Sequence, residues 1–105
     1  MTDALSYYES VASASGDMLE AARRQDWDAL AQAERLCAAA TAVLKASGAE
    51  ARLDEDKRRR KTEIIRRVLA DDAEIRRLLD PRMRELERLL GSARTRRRVD
   101  DAYSA

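Results

Sequence analysis

Apolar residues along this chain recur at intervals of three and four, and the longest such run extends from Thr62 to Leu90. It holds two neighbouring stripes. Ile64, Val68, Ile75, Leu78 and Leu89 form one, and Ile65, Leu69, Leu79, Met83, Leu86 and Leu90 form the other. A rhythm of three and four kept over about seven turns predicts one long amphipathic helix. Two stripes are wider than the seam of a helix pair. One of them can face the rest of a small protein, which leaves apolar surface over for something else.

The same rhythm, weaker, precedes this run. Thr2 is a candidate N-cap and Asp3 sets negative charge at the positive end of a first helix that extends to about Arg24. Within it Leu5, Tyr8, Ala12, Ser15, Leu19 and Ala22 repeat every 3.5 residues, a coiled-coil-like seam with Gly16 beside it. Gln25-Asp26-Trp27-Asp28 breaks the pattern. Asp26 can cap a second helix, and Trp27, in its first turn, can fold over the junction. So short a connection forces antiparallel neighbours. Leu30, Ala33, Cys37, Ala40 and Leu44 give the second helix a matching seam, with Ala29, Leu36 and Val43 as a flanking row. Lys45 and Gly48 close it.

After an unassigned stretch from Gly48 to Leu53, the acids Asp54-Glu55-Asp56 precede the basic run Lys57 to Lys61. The pairs Asp54/Arg58, Glu55/Arg59 and Asp56/Arg60 are each spaced to form ion pairs on a helix. Pro81 interrupts the long run. Because Leu79, Met83, Leu86 and Leu90 hold their phase across it, the reading is a kinked but continuous helix that Gly91 ends. In the tail, Ser92 or Thr95 can cap a short fourth helix whose Val99 and Tyr103 fold back on the third. The expected fold is all-α: one domain, residues 1–105, an elongated antiparallel bundle of three long helices with a short C-terminal fourth helix.

Composition sharpens this picture. Apolar residues make up 45 % of the 105, but Ala alone accounts for 20 of them and Phe is absent. The core must therefore be thin. The formal net charge of +1 conceals an asymmetry: residues 1–50 hold four Lys/Arg against eight Asp/Glu, and residues 51–105 hold seventeen against twelve. The basic half can meet an acidic partner. With an overall pI near 7.9, direct binding of nucleic acid is disfavoured.

Catalytic chemistry is hard to find. Histidine is absent, which removes the commonest general base, and the three glycines, at 16, 48 and 91, form no phosphate loop. Asp71-Asp72 and Asp100-Asp101 are adjacent on helices, where neighbours point about 100° apart and do not converge. Cys37 is the sole cysteine and reads as a small buried hydrophobe. No enzymatic role, metal or cofactor is expected. With neither a membrane span nor a secretory leader in the pattern, the expected location is the cytoplasm. Binding is the work left to such a chain.

Several local patterns then coincide with a family. Asp26-Trp27-Asp28-Ala29-Leu30 at the start of helix two, Arg82-Met83-Arg84-Glu85-Leu86 leading to Leu89-Leu90-Gly91, and the terminal Asp100-Asp101-Ala102-Tyr103 together resemble the FliT-type flagellar export chaperones. The resemblance spans nearly the whole length. It implies a helical bundle whose third helix, with part of the second, receives an amphipathic C-terminal segment of the flagellar filament-cap protein. It also implies contact with the export ATPase complex and, in some bacteria, with the master transcriptional activator of flagellar genes. The family's last helix is understood as a cover over the receiving surface. Pro81 departs from the family pattern, and so does a tail that stops soon after Tyr103.

Joined to the stripe argument, the resemblance nominates Val68, Leu69, Ile75, Leu78 and Leu79 as a client-binding groove and Tyr103 as a lid or partner contact. Alanine at Ile75 and Leu78 together is expected to weaken client capture and leave helicity intact. Two other readings stay open at this stage. A nucleic-acid-associated or transcription-regulating protein would use Lys57 to Lys61 and Arg96 to Arg98, and a structural coiled-coil module would form a homodimer with no other partner.

Overall fold

The computed structural model describes residues 3–103, with the backbone alone for 92–96, 99 and 103. Three helices follow one another: α1 (Ala4–Arg23), α2 (Trp27–Ser47) and α3 (Glu55–Tyr103), with a 3₁₀ turn at Ala49–Arg52 between the last two. The molecule measures 68 × 26 × 20 Å. Its radius of gyration is 19.9 Å, against about 13 Å for a compact chain of this length, so it is a rod.

Caps and turns set the three lengths. Asp3, with Thr2 outside the described residues, caps α1 by accepting from the Leu5 backbone N–H at 3.3 Å. At the other end Gln25 takes a left-handed conformation, φ +57°. The N–H of Asp26 reaches back to the Ala21 carbonyl (2.9 Å) and that of Gln25 to Ala22 (3.0 Å), the paired bonds of a Schellman end. Asp26 then caps α2 through the Ala29 N–H at 3.1 Å, as its position predicts. Gly48, φ +67°, ends α2. Asp54 starts α3 by accepting from the Lys57 N–H at 2.8 Å. That use of its carboxylate replaces the expected pairing with Arg58.

α1 is the middle element, packed along both α2 and α3. It runs antiparallel to α2 and parallel to α3, since Asp3 meets Lys57 (3.2 Å), Ser15 meets Asp71 (3.2 Å) and Arg23 meets Glu74 (2.9 Å) in ascending order. Two small apolar clusters hold the three together. Ala4, Tyr8, Ala49, Leu53 and Ile64 form one near the start of α1, and Leu19, Ala21, Ala22, Leu30 and Ile75 form the other where α1 turns into α2. Between them Ser15, almost wholly buried, donates its hydroxyl to Asp71. Trp27 covers the second cluster and carries the Arg82 guanidinium 5.1 Å above its ring.

The expected three long helices and one short helical piece are present, but the short piece is the 3₁₀ turn and not the tail. α3 passes through Pro81 and Gly91 without a break and reaches Tyr103. The physical reason lies in helix cooperativity. Continuing adds one hydrogen bond per residue, whereas stopping at Gly91 and restarting forfeits a turn of bonds at each new end. A mid-helix glycine costs only about 1 kcal/mol, less than ending one helix and nucleating another.

An outward apolar stripe on the long helix

The inward seam of α3 consists of Lys57, Lys61, Ile64, Val68, Asp71, Ile75, Leu78 and Arg82, in strict alternation of four and three. Each makes a bundle contact. Ile64 and Ile75 are buried, Val68 and Leu78 are half-buried against the two clusters, and the four polar members pair with Asp3, Tyr8, Ser15 and Trp27. This seam is the first stripe of the sequence. Its Leu89 lies beyond the bundle and is exposed.

The second stripe, one residue further round the helix, faces outward. Ile65, Leu69, Met83, Leu86 and Leu90 are between 39 and 62 % exposed, and Leu79 is half-buried where it touches the second cluster. Midway along, Asp72 and Arg76 bind each other at 3.0 Å and divide the stripe into a part beside the bundle and a part beyond it. On α2, Leu36 and Val43 are also exposed, seven residues apart on one face. So much uncovered aliphatic surface is uncommon on a chain of 105 residues.

The nominated residues therefore separate. Leu69 is fully presented, and Val68, Leu78 and Leu79 sit at the boundary between core and surface. Ile75, only 4 % exposed, is wedged among Leu19, Ala22 and Leu30 and belongs to the core. Removing it would leave a gap in that cluster, so the joint Ile75/Leu78 alanine substitution should cost stability as well as client capture. The side chain of Tyr103 lies outside the described residues. Ile65, Met83, Leu86, Leu90, Leu36 and Val43 were passed over as site residues. Their signal was present in the second stripe and in the flanking row of α2. What sequence lacks is which of two adjacent stripes the alanine-rich α1 accepts.

The charged groups around this face are largely spoken for. Lys57 binds Asp3, Arg59 binds Glu55 (3.3 Å) and Asp56 (4.0 Å), and Arg60 binds Glu63 (3.1 Å), which displaces the expected Asp56/Arg60 pair. Lys61 binds Glu50 at 2.7 Å and lies 5.6 Å from the Tyr8 ring centre. That bond pulls the Glu50 carboxyl below its ordinary range and raises Lys61, and the Arg23 fork does the same to Glu74. Asp3 is lowered first by the Leu5 N–H and then by Lys57. A basic run so neutralised has little charge left for phosphates, which weakens the nucleic-acid reading. Cys37 is half-buried. Among the described residues there is no cluster of three or more metal-ligating side chains and no helix long and apolar enough to cross a membrane.

These features define a small all-helical protein with one overlong helix whose outer face is apolar and uncovered. The profile of the family described as "Flagellar protein FliT" matches residues 5–105. A "Flagellar protein FliT" from Photorhabdus laumondii subsp. laumondii is 30 % identical over 101 residues, covering 96 % of this chain and 81 % of the relative. The chain belongs to the FliT family of flagellar proteins. No solved structure matches it.

Proposed function

We propose that this protein is a flagellar export chaperone, which binds and shields an amphipathic C-terminal segment of the filament-cap protein in the cytoplasm before export. The observation that carries the reading is the outward stripe of α3. An amphipathic helix laid on Ile65 and Leu69, with Leu79 and Met83 further along, would hide its own apolar face and that of the chaperone together. Val68 and Leu78 line the edge of this surface, and Ile75 supports it from below. Family membership supplies the flagellar context, and the resemblance supplies the kind of client. Delivery to the export ATPase complex and contact with the flagellar transcriptional activator belong to the same proposal, as does a covering role for Tyr103.

The test is titration calorimetry of the full chain with a synthetic peptide of the cap protein's C-terminal segment. Leu69→Lys and Met83→Lys replace exposed residues and should leave the circular dichroism unchanged. Each is expected to weaken binding about tenfold or more, because a charge is then set against the client's apolar face. Wild-type affinity in both variants would refute the assignment of this face.

A further inference from the structure

Past Arg82, whose guanidinium lies over Trp27, the two apolar stripes of α3 merge into one face. Met83, Leu86 and Leu90 continue the outer stripe, Leu89 continues the inward one, and all four are exposed. At about 100° per residue they fall within an arc of about 120°. A seam made for a single partner helix is narrower than this, and a client laid along the outer stripe leaves Leu89 unused.

Positive charge is concentrated on the same segment. Residues 83–98 hold six arginines against two acids, Glu85 and Glu87, whereas the remainder of residues 51–105 holds eleven basic residues against ten acidic. The basic excess of this half of the chain therefore lies here, and not in the run 57–61, whose members pair with Asp3, Glu50, Glu55 and Glu63. Arg84 and Arg88 stand opposite the apolar arc in helical register, Arg88 pairing with Glu85 at 2.8 Å. Arg97 and Arg98 are exposed at the far end, where Asp100 and Asp101 close the basic stretch.

We propose that residues 83–98 dock in the plane of an anionic lipid bilayer. Met83, Leu86, Leu89 and Leu90 enter the boundary between headgroups and acyl chains, and the arginines reach lipid phosphates through their long stems. Breadth and charge together select this occupant. A flat apolar layer covers the whole arc at once, including Leu89, and an arginine excess of three to one matches a negatively charged surface. The segment is about 24 Å long and carries six arginines, so it lies on the bilayer and does not cross it. This reading stands apart from client capture, because it uses Leu89 and the terminal arginines, which the client surface does not.

The test is co-sedimentation of the full chain with vesicles of phosphatidylcholine alone or containing about 30 % phosphatidylglycerol. Binding is expected to the anionic vesicles only and should weaken steeply between roughly 50 and 300 mM salt. Arg97→Glu with Arg98→Glu should weaken it at least about twentyfold. The neutral pair Leu86→Gln with Leu89→Gln, at exposed positions, should weaken it about tenfold or more with helicity unchanged. Leu69→Lys, which impairs the client surface, should leave vesicle binding as it is, and Leu89→Gln alone should leave capture of the cap segment as it is. No sedimentation with anionic vesicles, or equal binding to neutral ones, overturns the proposal. Binding indifferent to the glutamine pair is mere charge attraction of the kind any polyanion would exert, and that overturns it too.

Discussion

Gln25 and Gly48 end α1 and α2 in the same left-handed backbone region, yet only one of them is a glycine. An L-residue there brings its Cβ against the following carbonyl, at about 1–2 kcal/mol, and glycine avoids this at some cost in unfolded-state entropy. Gln25→Gly should therefore stabilise the fold by about 0.5 kcal/mol, while Gly48→Ala, which meets no neighbouring atom, should cost about 1 kcal/mol from backbone strain alone. Thermal melts check both, since 1 kcal/mol shifts the midpoint of a domain this size by roughly 4–8 °C. Gly48 was legible as a helix end because glycine after a last basic turn is a recurrent signal. The left-handed Gln25 was not, because no feature of glutamine announces it. What places it there is the need to turn α2 back along α1 within three residues.

Among the helices, α3 carries the clearest test of which stripe is core. Ile75→Ala empties a site enclosed by α1 and α2 and should cost about 2–4 kcal/mol in a denaturant melt, whereas Leu69→Ala, on the open face, should stay within about 0.5 kcal/mol. Equal effects would mean that the two stripes have been interchanged. The existence of α3, its continuity through Pro81 and its two stripes could all be read from spacing. Its inward stripe could not, because inward positions 57, 61, 71 and 82 are polar and look like surface until Asp3, Tyr8, Ser15 and Trp27 are placed opposite them. By hydrophobicity alone the outer stripe is the richer of the two. The length of α3 was missed for a related reason: Gly91 resembles a stop signal, yet a glycine within a helix costs less than a second nucleation.

At the scale of the whole molecule, the rod is held by two thin clusters and by exposed ion pairs that tie α1 and the 3₁₀ turn to α3. Asp3, Glu50 and Glu74 all have lowered pKa values in the folded state. Their contribution is present above the ordinary carboxylate values of 3.8 and 4.5 and is lost as the pH falls through the folded ones. Lys61 is raised, so its share is complete below its ordinary 10.5 and fades only as the pH climbs through a higher value. Stability should accordingly be flat across neutrality and decline on the acid side, with a smaller acid decline in Glu50→Gln. An acid limb unchanged by that substitution would place the dependence elsewhere. Helix content, capping by Asp26 and Gly48, an elongated form and an excess of apolar helix surface were determined by the amino-acid sequence itself, since each depends on residues within a few turns of one another. Tertiary structure alone decided which stripe is hidden and how far α3 runs on past the bundle. Those outcomes depend on how closely an alanine-lined α1 can approach α3, and on the partners Asp3, Tyr8 and Ser15 for Lys57, Lys61 and Asp71, which lie far away along the chain.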